Sequence, residues 1–221
     1  MRQLVLQFWV SLDGFSPDQG TELRQFMETL PEDDGDEYFV SRLGQAGTHI
    51  MGRVTYESMA DTWPASTDPV APLMNDTPKV VFSRSLQSAR WPESRIVRGD
   101  MAEEIARLKT EPGGDILAHG GVRFVQSLVR LGLVDEYRLY VYPVAVGSGA
   151  RLFPDLGRPR GLRLLSSRVF QCGVLALTYR PMTQQELNAI VPVPDTGRES
   201  QRIIDDSRAE SSSGRDEPNS G

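Results

Sequence analysis

Short apolar runs with strand character recur along the chain, and helical patterns separate the early ones. The runs lie at about 3–11, 48–51, 79–82, 95–97, 115–118, 136–143, 162–170 and 174–180, with helical periodicity near 36–46, 54–60, 101–108 and 122–131. Strands alternating with helices pair in parallel through right-handed crossovers. The last two runs are separated only by Gln171-Cys172-Gly173, a hairpin-length turn, so the sheet should end in an antiparallel pair. The expected class is α/β: a mixed, mostly parallel sheet of about eight strands with helices on both faces.

With 221 residues, 39 % of them apolar, the chain can bury one sizeable core. The expected domain covers 1–182. After Met182 the composition changes to scattered prolines, serines and charges, with eight acids against four arginines, so this segment holds −4 of the total −6. Such a stretch buries too little apolar area to offset its chain entropy, and 183–221 is expected to be a disordered acidic tail with 187–193 as a short docking segment. The proline-rich stretch 62–78 reads as a surface excursion.

No apolar run approaches the roughly 18 to 20 residues of a membrane span, and the amino terminus enters a strand pattern without a signal-peptide core; a cytoplasmic protein without membrane contact is expected. No basic stripe suggests nucleic-acid binding. Cys172 is the single cysteine, and His49 and His119 are far apart in sequence without paired carboxylates, so no metal site is expected. Redox chemistry in such a chain needs a bound cofactor.

Two strand-to-helix junctions carry glycine. The run Asp115-Ile116-Leu117-Ala118-His119 leads into Gly120-Gly121 and then an amphipathic helix. Upstream, Thr48-His49-Ile50-Met51 leads into Gly52-Arg53-Val54-Thr55. Glycine lets a ligand approach the backbone, and the first N–H groups of a helix lack partners and carry partial positive charge, which suits a phosphate.

Together with these junctions, Ser11-Leu12-Asp13-Gly14-Phe15, Pro78-Lys79-Val80-Val81-Phe82-Ser83-Arg84, Gly132-Leu133-Val134-Asp135-Glu136, Gly147-Ser148-Gly149 and Leu152-Phe153 form an ordered set. As a set, over about residues 3–181, the chain resembles the dihydrofolate reductase-like fold. Within it, the likeness is to the carboxy-terminal reductase domain of bacterial riboflavin biosynthesis enzymes and its stand-alone relatives. The resemblance implies NADPH as cofactor. Gly52 and the Thr55 hydroxyl would hold one side of its pyrophosphate, and the backbone of Gly120, Gly121 and Val122 the other. Arg53, Ser83 and Arg84, at neighbouring strand ends, would take the 2′-phosphate.

The fold's usual acid lies on the helix before the Met-Gly-Arg strand. Asp36, sixteen residues before Gly52, is the candidate acid or substrate anchor, with Glu37 second; acids in a first helical turn also stabilise the helix dipole whatever their function. Asp13 is a further catalytic candidate, in the loop that in this fold closes over the nicotinamide, with Ser11 beside it; a polar turn residue explains it equally. His119 borders the Gly-Gly turn and is a candidate cofactor contact, whereas His49 reads as a hydrogen-bonded core residue. Phe8 and Trp9 alternate, so one should face the pocket and the other the opposite core.

The expected activity is hydride transfer from NADPH to a small heterocyclic, aminopyrimidine or pterin-type substrate, resembling the 5-amino-6-(5-phosphoribosylamino)uracil reductase of riboflavin biosynthesis. For a phosphorylated substrate, Arg24, Arg42, Arg151 and Arg158 are the candidate cations. No zinc deaminase pattern accompanies the reductase. The alternatives are a non-catalytic NADP(H)-binding or partner-binding module and a dihydrofolate reductase proper; against the latter, 16–31 lacks the tryptophan-containing loop of those enzymes. A homodimer is expected, through an edge offered by 137–144 and 174–179.

Overall fold

The structure, a computed structural model, describes residues 1–17, 21–31, 35–153, 156–157 and 159–190, without the side chain of Asp36. The chain divides into two units, Met1–Pro181 and Met182–Gly221. In the first unit the strands are β1 (Leu4–Ser11), β2 (Ala46–Gly52), β3 (Lys79–Phe82), β4 (Ser94–Val97), β5 (Asp115–Ala118), β6 (Glu136–Tyr142), β7 (Leu162–Val169) and β8 (Leu175–Pro181). Its helices are α1 (Glu22–Thr29), α2 (Gly35–Leu43), α3 (Arg53–Thr62), α4 (Ala71–Asp76), α5 (Met101–Thr110) and α6 (Val122–Arg130), with a 3-10 turn at Trp63–Ala65.

The strands form one sheet in the order β4-β3-β2-β5-β1-β6-β8-β7. Pairing is parallel from β4 to β6 and antiparallel at β6–β8 and β8–β7, the mixed sheet that the sequence leads one to expect. Central β1 is buried on both faces, which explains its nearly unbroken apolar reading. Leu4, Leu6, Phe8 and Val10 pack with Ile105 and Leu108 of α5 and Val125, Leu128 and Val129 of α6. Val5 faces the other way, in a cluster with Leu43 of α2, Tyr56 of α3 and Met74 of α4.

Four features depart from the sequence reading. Residues 62–78 are not simply an excursion: α4 begins there with proline in its first turn, where a missing N–H costs nothing, and it buries Ala71 and Met74. Helix α1 lies where no helix is expected; Thr21 caps it and only Leu23 is buried, so its apolar pattern is faint. The sheet edge at the antiparallel end is β7, not the 137–144 or 174–179 runs, because β6 and β8 both lie inside the sheet. In the second unit, Gln184–Ile190 is helical (α7) instead of disordered. A reciprocal cap starts it: Thr183 Oγ1 accepts from Glu186 N at 3.2 Å, and the Glu186 carboxylate accepts from Thr183 N at 2.9 Å. The remaining tail, 191–221, lies outside the described residues.

Candidate active site

The carboxyl ends of β2, β3 and β5 lie side by side, with Gly52 opposite Phe82 and Ile50 opposite Ala118. Helix α3 starts directly after Gly52, and α6 directly after Gly121; neither amino terminus is capped by a side chain. Two helix starts with free amide donors therefore belong to one edge of the sheet. Gly52 lies close against α6: a Cβ there would sit 3.2 Å from the Phe124 Cβ, so a side chain would require the Phe124 side chain to give by a few tenths of an ångström. Gly121 has φ +62°, and a Cβ would lie 2.9 Å from Thr55 Oγ1.

Thr55, a candidate phosphate donor in the sequence, has a protein partner in this structure. Its hydroxyl donates to the Gly120 carbonyl at 2.6 Å, tying the start of α3 to the turn before α6. In this arrangement it braces the two junctions, and the donors left for an anion are backbone N–H groups.

Arg53 and Ser83 each follow the end of adjacent strands, as the cofactor reading requires. The Arg53 guanidinium is half exposed and pairs with Glu57 at 2.8 Å, so a phosphate there must replace or share that carboxylate. Arg84 is exposed and makes no ion pair among the described residues. The Ser83 hydroxyl oxygen accepts from the Ser85 and Leu86 amides, shaping the loop that carries Arg84.

Asp13, a catalytic candidate in the sequence, is engaged in loop contacts in this structure. Its carboxylate accepts from Ser11 Oγ at 2.6 Å, Gly147 N at 2.7 Å and Val146 N at 3.2 Å. The Ser11 hydrogen bond first, then those backbone donors, hold it below the ordinary carboxylate range. A carboxylate so held is a poor proton donor near neutrality. It fastens the loop after β1 to the loop containing Gly147. The Asp36 backbone lies in α2, but its side chain is outside the described residues, so the acid assignment rests on sequence; Glu37 is exposed.

A cavity of about 320 Å³ opens on the face of β1 that carries Trp9, with Gly35, Phe39, Tyr140, Tyr142 and Phe170 among its walls. Phe8 packs on the opposite core face, so the alternation expected of this pair holds. Trp9 stacks on Tyr140 at 5.7 Å and 20°, and Phe39 closes against Trp9 at 5.6 Å. Such walls suit a flat ring. The sequence reading finds Trp9 but not its partners. Their signal is the two-residue period of β6, which puts Tyr140 and Tyr142 on one face, in register with Trp9 and Ser11.

None of the four candidate substrate arginines lines this cavity among the described residues. Arg24 pairs with Glu28, Arg42 donates to the Tyr38 hydroxyl, and Arg151 lies over Phe15. Arg158 is outside the described residues.

The two histidines, distant in sequence, meet in space. His49 Nε2 lies 3.2 Å from the Leu73 carbonyl, and His119 Nε2 lies 2.8 Å from His49 Nδ1. A carbonyl only accepts, so His49 carries its proton on Nε2, and His119 donates to the bare Nδ1. His119 is 3 % exposed and turned into the core, which removes it from the candidate cofactor contacts. Burial first lowers both imidazoles, His49 to about 4, with the second ring adding to the effect on His119. No group of three or more His, Cys, Asp or Glu among the described residues could hold a metal ion, and no helix there is long and apolar enough to cross a membrane.

Residues 2–176 match the model of the RibD C-terminal domain family. The chain belongs to that family. Relatives of this chain include YyaP of Bacillus subtilis, 31 % identical over 183 residues that cover 80 % of this chain and 94 % of YyaP. Among solved structures, a riboflavin biosynthesis protein from Shewanella sp. PV-4 superposes with a TM-score of 0.68 at 22 % identity, covering 82 % of this chain and 99 % of that one. Dihydrofolate reductase from Enterococcus faecalis, complexed with NADP(H), gives 0.55 at 15 % identity over 82 % of this chain and 97 % of that one. The RibD C-terminal family and the dihydrofolate reductase-like fold thus meet in this chain, as its motif set implies.

Proposed function

We propose that this RibD C-terminal protein is an NADPH-dependent reductase of a small planar heterocycle of the aminopyrimidine or pterin type. The observation that carries the reading is the pair of uncapped helix starts after Gly52 and Gly121, braced by Thr55, at the same sheet that carries the Trp9 cavity. Backbone N–H groups of both helices fit a pyrophosphate, and Arg53 and Arg84 fit a 2′-phosphate beside it. When bound, NADPH supplies the hydride. The protein's own contribution is to hold the acceptor ring between aromatic walls, exclude water and deliver a proton. Asp36 is the proposed acid because it follows Gly35, a cavity residue, in the first turn of α2.

Incubation with NADPH deuterated at the nicotinamide C4 and a panel of aminouracils and pterins tests this. Deuterium in one product, lost on Asp36→Asn, is the expected result. Cofactor binding without transfer to any member would remove the substrate class.

The same reading includes a homodimer, since β7 leaves an open sheet edge with Leu164, Leu165 and Val169 exposed. Sedimentation should give twice the chain mass, and a monomer at micromolar concentration would contradict it.

A further inference from the structure

Three buried side-chain atoms among the described residues have no hydrogen-bond partner: both polar atoms of the Gln7 carboxamide and the hydroxyl of Tyr140. Folded proteins leave few such atoms, and each usually answers to a ligand, an ordered water or a strained function. These three are neighbours in the sheet. Trp9 on β1 is the register partner of Tyr140 on β6, and Gln7 lies two residues before Trp9 on the same strand face. Gln7 is 1 % exposed, and Tyr140 is 5 % exposed and forms part of the cavity wall. Tyr140 thus brings an unpaired hydroxyl to the cavity wall, and Gln7 brings an unpaired carboxamide one position deeper on the strand face that carries Trp9.

Resting on the reductase reading above, we propose that Gln7 and Tyr140 are the specificity-determining residues of this cavity, reading a lactam or amidine edge on the bound ring. The unpaired set dictates that class. A carboxamide offers a donor beside an acceptor, and its full complement is an edge that offers the same pair in reverse. Tyr140 is kept protonated by burial and adds a hydroxyl that donates or accepts. A carboxylate or phosphate, acceptor only, leaves the Gln7 oxygen unmatched. A ring without such an edge leaves every one of these atoms unmatched, and sites built to pair buried polar groups reject such analogues strongly.

The test titrates the full chain, with and without NADPH, with 6-aminouracil and its 1,3-dimethyl derivative, which keeps the ring but blocks both ring N–H donors. Intrinsic fluorescence, to which Trp9 of the cavity contributes beside Trp63 and Trp91, reports occupancy. The expected result is binding of 6-aminouracil that weakens at least about tenfold on ring methylation, on Gln7→Met and on Tyr140→Phe, with Gln7→Met raising the thermal midpoint of the free protein because buried unpaired atoms are gone. Both substitutions keep the side chain's approximate shape, and unchanged NADPH affinity in each verifies the fold. Equal binding of the two uracils, or undiminished binding by both variants, would overturn the proposal. A lowered midpoint with intact ligand binding would also overturn it, by assigning the atoms to ordered water. A loss of NADPH binding by the unmodified chain would instead sink the reductase reading itself.

Discussion

Gly121→Ala is expected to destabilise the protein by about 2 to 3 kcal/mol and to abolish nucleotide binding. The residue has φ +62°, a conformation that costs an L-residue about 1 to 2 kcal/mol. A Cβ there would sit 2.9 Å from Thr55 Oγ1, so the hydroxyl must shift; the expected outcome is loss of its hydrogen bond to the Gly120 carbonyl, worth about 1 kcal/mol. The functional consequence exceeds the thermodynamic one, because the same bond aligns the two helix starts. Denaturant midpoints and NADPH titration on the variant check both halves. Thr55→Val separates them: it should cost about 1 kcal/mol through the same lost bond, without the backbone strain. A Gly121→Ala protein as stable as the parent would show that the turn tolerates a side chain and that the brace is unimportant.

Acidification from pH 6.5 to about 4 is expected to remove about 3 kcal/mol of stability through His49 alone, with His119 acting in the same direction. In the unfolded chain both imidazoles take a proton near pH 6.5; in the folded protein burial holds His49 neutral down to about 4 and His119 well below its ordinary value. Between those values the unfolded state binds more protons, so stability rises with pH there and falls as pH drops. The lowering from 6.5 to about 4, at about 1.4 kcal/mol per pH unit, gives the magnitude. Urea unfolding at steps across this window measures it. A His49→Leu, His119→Leu double variant should lose stability at neutral pH, since the Leu73 carbonyl loses its donor, yet vary less between pH 6.5 and 4. An equally steep fall in the double variant would assign the acid sensitivity to the carboxylates.

Period and punctuation made the sheet legible from sequence: the eight strand runs and the hairpin turn at 171–173 match the observed pairing. What escaped were elements whose stability comes from outside themselves. Helix α4 carries in its first turn a proline that resembles a breaker, and α1 buries one leucine. The Thr183-x-x-Glu186 cap was readable, but charged composition outweighed it.

In the site, glycines at strand ends were legible because few other reasons place them there. Side-chain roles were harder. Thr55 and Asp13 look like ligand or proton groups in sequence, and only three dimensions show them bound to Gly120 and to the 146–147 backbone. His49 and His119 were read apart because sequence distance says nothing of the adjacent rows of β2 and β5. The cavity's aromatic partners come from four separate segments, and no local pattern joins Trp9 to Phe39 and Phe170.

Calorimetric titration of the purified chain with NADPH and NADH, alongside Arg53→Ala and Arg84→Ala, tests the central claim most directly. The expected result is NADPH binding at least about tenfold tighter than NADH, a difference of about 1.4 kcal/mol. Each substitution should remove about 1.5 kcal/mol of the NADPH affinity, the lower end for charged hydrogen bonds because both guanidiniums are solvent exposed, and leave NADH nearly unchanged. Absence of binding by either nucleotide would contradict the account and leave the paired helix starts without a ligand.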